Sequence, residues 1–221
     1  MAGDISFYAR ALEGKDWATV LFVLCFALIA MTKTAFEGRF SDFIRLAYSD
    51  KYLKIYREEE MTNWFTVALF LVQVISFAFF IQLLLGYFGY VSKNDWVVYL
   101  QIFTMTGVFI LGKYLVEKII FTSFNIEEVS EQFNLQKVSY RTYLGILLLP
   151  VNIVLFYNNS ISKTAIYIVI AAILVINLLT YLNSLKIYQN LIFGKLFYFI
   201  LYLCALEIAP YYFMYYWFTN S

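Results

Sequence analysis

Histidine is absent from this 221-residue sequence, and charged residues make up only 14% of it. Histidine is the commonest general base and a frequent ligand of transition metals, so its absence excludes a Ser-His dyad and the histidine-dependent metalloproteases. The sequence also lacks a GxSxG nucleophile elbow and a GxxxxGK(S/T) phosphate loop. We therefore expect that the chain is not an enzyme and that it needs no metal or other cofactor.

Cysteine is scarce, with only Cys25 and Cys204, and both lie inside apolar runs. The sequence has no CxxC motif and too few cysteines for a disulfide framework, so we expect both thiols to be small buried groups. The net charge is +1, which gives no basis for a nucleic-acid partner.

Hydrophobic residues, in contrast, make up 62% of the chain, and its mean hydropathy is +0.72. Water-soluble domains contain about 45–50% apolar and about 25% charged residues. A soluble core does not need so much apolar surface, so we expect the lipid bilayer to surround most of it.

Six apolar runs are long enough to cross the roughly 30 Å hydrocarbon core of a bilayer as helices. They predict an all-α fold, a polytopic membrane helix bundle of about six transmembrane helices. Pro150 and Asn152 interrupt the fourth run, and Asp16, Asn63 and Asp95 each precede a tryptophan as predicted helix caps. One membrane-embedded domain covers residues 1–221, and its predicted spans are roughly 17–36, 63–87, 96–120, 140–157, 163–184 and 196–218.

Lysine and arginine are distributed unequally between the two sides that this threading defines. Twelve of them lie in the connections that follow the odd-numbered spans or near the span ends that adjoin these connections, and four lie on the other side. Basic residues stay preferentially on the cytoplasmic side of a membrane. We therefore expect the three longer connections in the cytoplasm and both termini on the opposite side.

The first cytoplasmic connection, residues 37–62, is amphipathic. Phe40, Phe43 and Ile44 recur at helical spacing with charged residues between them. This pattern is typical of short helices that lie in the membrane interface with their apolar side toward the lipid. Two interpretations stay open, an interfacial connector that orients the first two spans or a docking surface for a protein partner. The interfacial candidates are Arg39, Arg45, Lys51, Lys54 and Arg57.

A second short amphipathic helix is predicted in the next cytoplasmic connection. Asn125 followed by Glu128 forms a predicted N-terminal cap, and Ile126, Val129 and Phe133 form an apolar stripe. We expect its acidic residues to pair with the basic groups of the first connection, at about 0–1 kcal/mol for each exposed pair.

Four residues inside the predicted spans are functional candidates because they carry charge or break a helix. Lys113 and Glu117 lie four residues apart near the inner end of the third span, so they share one helix face, as expected of an end-of-helix charge pair. Glu207 lies roughly 18 Å from the inner end of the sixth span, too deep for its short side chain to reach an interface. Pro210 cannot donate its backbone nitrogen and so frees the carbonyl of Leu206.

Amide side chains add further polar groups to the predicted interior of the bundle. Three roles stay open for Glu207 and these amides: hydrogen bonds between helices, a relay for protons or ions, and contact with a partner subunit. An ionised Glu207 needs a cation, and Lys113 is the nearest candidate by depth. The amides are Gln73, Gln82, Gln101, Asn152 and Asn177.

The stretch LYLCALEIAP, with Glu207 and Pro210 in its Glu-Ile-x-Pro core, resembles the C-terminal signature of a family of multi-span inner-membrane proteins from Bacteroidota. That family is catalogued only as a domain of unknown function. KYLKIYREEE, and LGILLLP at 144–150, are similar to other recurrent stretches of the family. A basic residue often follows the Glu-Pro segment there, whereas this chain continues YYFMYYWFTNS without one. The resemblance implies a multi-pass protein of the bacterial inner membrane, with both termini in the periplasm on the charge pattern above.

These features favour a non-enzymatic subunit or assembly factor of a cell-envelope complex, partnered by another membrane protein or by further copies of the chain. The alternative is a small proton- or ion-coupled transporter that uses Glu207 as its relay. Six spans without an internal repeat are few for a transporter unless it dimerises.

Overall fold

The computed structural model describes residues 16–47, 52, 55–56, 63–123, 127–158, 164 and 166–178, and its regular structure over these residues is entirely helical. The predicted all-α class is therefore confirmed. A 3-10 turn, Arg45–Ala47, follows the second helix. The α-helices are α1 (Asp16–Ala35), α2 (Glu37–Ile44), α3 (Trp64–Tyr87), α4 (Trp96–Ser123), α5 (Glu127–Tyr157) and α6 (Ile166–Leu178).

Within the described ranges, four helices are long and apolar enough to cross a membrane. They match the first four predicted spans, since the apolar part of α4 ends at Ile119 and that of α5 begins at Leu135. Helix α6 covers only part of the predicted fifth span, and the predicted sixth span lies outside the described residues. Four of the six predicted spans therefore correspond to helices that are long and apolar enough to cross a membrane, and the prediction of six is not confirmed.

Helix α3 lies at the centre of the bundle and packs against α1, α4 and α5. In an apolar stretch of 18 residues, 56% of the residues of α3 are buried, compared with 22% for α1 and 11% for α4. The outward faces of α1 and α4 carry large apolar side chains, as is expected of helices whose surroundings are lipid.

One end of the bundle, which we call the Trp17 end, is built from aromatic rings. Trp17 of α1 stacks on Phe79 of α3 at 5.3 Å between ring centroids and meets Trp96 of α4 edge-on at the same distance. Phe156 of α5 closes the cluster, 5.5 Å from Phe79. The indole Nε1 of Trp17 donates a hydrogen bond to the carbonyl of Asn94 at 3.1 Å, which attaches α1 to the α3–α4 loop.

The opposite end, the α2 end, is covered by the short helix α2. As predicted, α2 is amphipathic, but the phenylalanines of its apolar side face protein, while Ile44 is 50% exposed. Phe40, Phe43 and Leu46 are buried in one cluster with Phe65 and Leu69 of α3. The sequence pattern did not distinguish these two surroundings because lipid and a protein interior are equally apolar.

The second predicted amphipathic helix is not a separate element. Helix α5 runs without interruption from Glu127 to Tyr157, so the described part of that segment and the fourth span form one helix. Pro150 lies inside this helix and does not end it. Membrane helices tolerate proline where neighbouring helices support the backbone, and Leu148, Leu149 and Asn152 around it are all buried.

Asp16 is the first residue of α1, and of the other two predicted caps, Asn63 and Asp95, only Asp95 caps its helix through its side chain. Asp95 accepts hydrogen bonds at Oδ1 from the backbone nitrogens of Val97, at 2.9 Å, and Val98, at 3.4 Å. Asn63 occupies the N-cap position of α3, but its side chain makes no capping hydrogen bond.

Candidate functional site

Buried polar side chains join α3 to α5 along a line that we call the α3–α5 seam. Thr142 Oγ1 donates to Gln73 Oε1 at 2.8 Å, and Asn152 Nδ2 donates to the backbone oxygen of Ser76 at 2.8 Å. Gln73 is 1% exposed and Asn152 is fully buried. These two bonds hold the helices in one register, while Gln73 Nε2 and Asn152 Oδ1 are buried without a hydrogen-bond partner among the described residues.

Gly145 allows the backbones of α3 and α5 to approach closely at this seam. A Cβ atom at position 145 would lie 2.9 Å from Gln73 Cα and 3.0 Å from Gln73 Cγ. Contacts that short do not occur between carbon atoms, so only glycine fits here without moving a helix.

At the Trp17 end, polar side chains fix the loop between α3 and α4. Gln82 Nε2 donates to the carbonyl of Asp95 at 2.8 Å and to that of Ser92 at 3.3 Å. Lys93 Nζ donates to the carbonyl of Phe156 at 3.3 Å, near the C-terminal end of α5 where a cation is favourable. These bonds attach the loop to α3 and α5.

The five predicted interior amides therefore divide into two groups. Gln73, Gln82 and Asn152 lie inside the bundle, as described above. Gln101 is exposed on α4, and Asn177 is exposed on α6, where its Nδ2 donates to the carbonyl of Ile173 in its own helix.

The charged candidates of the third predicted span lie at the α2 end of α4. Lys113 and Glu117 are both buried, at 7% and 3% exposure. Glu117 Oε1 lies 2.9 Å from Nζ of Lys137, which belongs to α5. Lys137 is one of the twelve basic residues that indicate orientation, and the sequence does not predict it as an ion-pair partner. Spacing along one helix does not show which residues face each other across two helices.

Arg39 and Arg45, the two described interfacial candidates, have different surroundings. Arg39 is 7% exposed, and its guanidinium lies over the rings of Phe65 at 4.6 Å and Tyr56 at 4.9 Å. Its Nη2 also donates a long hydrogen bond to Thr66 Oγ1, at 3.5 Å. Arg39 thus ties α2 and the Tyr56 segment to α3, whereas Arg45 is exposed.

Five other predicted site residues lie outside the described residues, and the roles proposed for them stay predictions. They are Lys51, Lys54, Arg57, Glu207 and Pro210.

A small cavity lies at the α2 end between α2, α3 and α5. Its volume of about 10 Å³ is close to the least that holds one water molecule. The hydroxyl-bearing residues Thr66, Ser139 and Thr142 line it together with apolar and aromatic side chains. Over the residues that the structure describes, no group of three metal-ligating side chains comes together. The described interior thus offers hydrogen-bonded contacts between helices.

The model of a family described as Domain of unknown function (DUF4271) matches residues 18–218. The chain belongs to this family. The resemblance to a domain of unknown function is thereby confirmed, whereas the Bacteroidota source and the C-terminal signature stay predictions. No match was found among curated proteins or among solved structures. The family description names no activity, so a function has to be inferred from the residues of this chain.

Proposed function

We propose that this member of the family is an integral inner-membrane protein that acts as a non-enzymatic subunit or assembly factor of a cell-envelope complex. In this proposal the α2 end faces the cytoplasm and both termini face the periplasm.

The main support is that interior polar side chains form bonds between different helices. The Thr142–Gln73 and Asn152–Ser76 hydrogen bonds and the Lys137–Glu117 ion pair each join two different helices. A transport pathway needs polar groups that are exposed to one side of the membrane and then to the other, whereas these groups are bonded to neighbouring helices. This arrangement supports a scaffold role over transport.

The apolar faces of α1 and α4 offer surfaces on which another membrane helix can pack. Val23 on α1 and Val108 on α4 are 63% and 71% exposed, and each lies among other exposed apolar side chains. Lipid is as apolar as these faces, so a partner helix replaces lipid there without a hydrophobic penalty.

The test is affinity purification of the chromosomally tagged protein from native membranes in mild detergent, with quantification of the co-purified proteins. A partner in fixed stoichiometry, or a stable homo-oligomer, is the expected result, and a lone monomer at its native expression level refutes the proposal. Val23→Trp and Val108→Trp add bulk to α1 and to α4. Loss of the partner in one variant but not in the other identifies the docking face.

The same strain tests the transporter alternative. Glu207→Gln keeps the shape of the side chain and removes its charge. The scaffold proposal expects this variant to retain both the partner and the growth phenotype of the unmodified strain. Retention of the partner together with loss of function in the Glu207→Gln strain favours transport, and full retention of function rules out a protonation cycle at this position.

A further inference from the structure

Helix α4 carries an exposed strip of side chains whose spacing is that of a coiled-coil contact. Its members follow one another at alternating intervals of four and three residues, and each aliphatic member is half or more exposed. This spacing keeps one side of a helix turned toward a neighbouring helix, with positions a and d of each heptad in contact. The α4 strip, as we call it, consists of Val97, Gln101, Thr104, Val108, Leu111 and Leu115.

The strip lies on the side of α4 that faces away from the bundle. The buried Lys113 and Glu117 lie on the opposite side of the helix, where Glu117 pairs with Lys137 of α5. Apolar side chains cost no free energy when they are exposed to lipid, so the aliphatic members alone do not require a partner. The polar members decide whether the strip needs one.

Gln101 is the polar member whose side chain is not satisfied by its own helix. It lies five residues, or about 7.5 Å, beyond Trp96 at the start of the apolar span. Thr104 donates its hydroxyl to the backbone oxygens of Leu100 and Gln101, both at 2.9 Å. Over the residues that the structure describes, the amide side chain of Gln101 makes no hydrogen bond. Because an unpaired amide is costly in apolar surroundings, a polar group from another molecule is favoured at this level.

A second copy of the chain would supply that group at the same depth. Two copies inserted with the same orientation have parallel α4 helices, and a two-fold axis along the membrane normal places each residue of the strip opposite itself. A glutamine side chain carries both a donor and an acceptor, so two Gln101 amides are complementary to each other. A different partner helix has to carry both a polar group at this level and the same apolar spacing.

The side chains beyond Gln101 suit a pair of helices. Gln101 and Val108 occupy successive a positions of the heptad, and Leu111 occupies a d position. A β-branched residue at a with leucine at d favours two strands, and a single polar residue at an a position fixes the register. Lys118 follows at a d position at the end of the apolar span, where its long side chain reaches water.

We propose that the chain forms a parallel homodimer through the α4 strip, in which the two Gln101 amides are hydrogen-bonded to each other across the two-fold axis. This inference deepens the proposed function, because it names a second copy as the occupant of the α4 face, and it rests on that proposal for the insertion of the chain in a membrane. The exposed face of α1 stays open to a different membrane protein.

Cysteine cross-linking of the purified full chain in liposomes tests the contact. The starting chain carries Cys204→Ser and keeps Cys25, which is buried. Val108→Cys places a thiol in the strip, and Val116→Cys places one at an exposed position of α4 outside it. After oxidation with copper phenanthroline at a low protein-to-lipid ratio, Val108→Cys is expected to form disulfide-linked dimers and Val116→Cys to stay monomeric. Equal cross-linking of the two variants overturns the inference, and so does its absence in Val108→Cys, which leaves the face to lipid or to residues 196–218.

The contribution of Gln101 is measured as a change in dimer affinity. Energy transfer between donor-labelled and acceptor-labelled chains, followed over a range of protein-to-lipid ratios, gives the dissociation constant of the dimer. Gln101→Leu keeps the size of the side chain and removes the amide. It is expected to weaken dimerisation about 3- to 30-fold, the range that one hydrogen bond between membrane helices contributes.

Asn177→Leu is the matched control, because it removes an exposed amide of α6 that is bonded within its own helix. Its dimer affinity is expected to equal that of the unmodified chain. Both substitutions are at exposed positions, and thermal unfolding verifies that each variant is folded. An unchanged affinity in Gln101→Leu, or an equal loss in Asn177→Leu, overturns the pairing of the amides.

The outcome is separable from that of the proposed function. The liposomes contain no other envelope protein, so the α4 contact is measured independently of the purification from native membranes. A stoichiometric foreign partner without cross-links in Val108→Cys refutes only the dimer. Cross-links in liposomes by a chain that is a lone monomer in native membranes refute only the proposed function.

Discussion

Replacing Gly145 with alanine tests the α3–α5 seam directly. The added Cβ would lie 2.9 Å from Gln73 Cα, 3.0 Å from its Cγ and 3.1 Å from its Cβ. Because the nearest of these atoms belongs to the backbone, α3 and α5 have to separate, and the 2.8 Å bond from Thr142 to Gln73 is stretched. The helices then lose their closest contact.

The size of the effect follows from three contributions. Overpacking costs about 1–3 kcal/mol. A hydrogen bond between membrane helices contributes about 0.6 kcal/mol on average. Replacing glycine by alanine inside a helix returns roughly 0.5–1 kcal/mol. We therefore expect Gly145→Ala to lower the free energy of unfolding by about 1–3 kcal/mol.

Gly112 of α4 provides the matched control, since a Cβ there meets nothing within 4 Å. Gly112→Ala is expected to leave stability unchanged or to raise it by roughly 0.5–1 kcal/mol through helix propensity. Unfolding of both variants in one detergent, followed by the fluorescence of the four tryptophans, makes the comparison. If Gly145→Ala unfolds at the same point as Gly112→Ala, the close approach of α3 and α5 is wrong.

Three other predictions use the same kind of matched pair. Asn152→Ala removes the hydrogen bond to Ser76 and is expected to lower the free energy of unfolding by about 1–2 kcal/mol. Asn177→Ala changes an exposed side chain and is expected to leave the free energy of unfolding unchanged, so equal effects contradict the assigned burial. Glu117→Gln removes the carboxylate that pairs with Lys137 and is expected to lower the free energy of unfolding. The loss should be smaller than the roughly 3–5 kcal/mol of a fully buried pair, because Lys137 is 14% exposed. Adding Lys137→Gln to this variant should recover part of the loss, and a further loss refutes the pairing. Arg39→Lys keeps the charge but loses the planar guanidinium over Phe65 and Tyr56, whose cation–π contacts contribute about 0.5–2 kcal/mol. Amide hydrogen exchange in α2 should therefore become faster in Arg39→Lys and stay unchanged in Arg45→Lys.

The lengths of the spans were predictable from the sequence, and most of their pairing was not. Helix α3 is apolar on all sides, so the periodicity of its sequence does not show which face meets α1, α4 or α5. An amide in an apolar span needs a partner, and this predicted the burial of Gln73 and Asn152 but did not separate them from Gln101 and Asn177, which are exposed. The partners of the two buried amides, Thr142 and Ser76, were not predictable, because hydroxyl groups are common in helices and only the tertiary structure shows which ones lie opposite an amide.

The contact that α2 makes was also beyond the sequence. The spacing of Phe40 and Phe43 predicts a helix with an apolar side, but it carries no information about whether that side meets lipid or protein. The buried guanidinium of Arg39 is the feature that points to protein, since a charge is tolerated there only with aromatic faces and a hydroxyl around it. The sequence signal was an arginine one residue before Phe40 on a helix otherwise predicted to lie on lipid.

The second half of α4 shows why charge, and not apolar area, positions this helix. Among the described side chains of α4 beyond Gly107, Lys113 and Glu117 are buried most deeply, while Val108 and Leu115 are more than half exposed. In water this arrangement is unstable because burying charge and exposing aliphatic groups both cost free energy. In lipid the exposed aliphatic groups cost nothing, and attraction between apolar faces no longer selects a neighbour. The ion pair of Glu117 with Lys137 then decides how α4 meets α5, which is why we expect neutralising one member to shift this helix more than changing any apolar residue on its outer face.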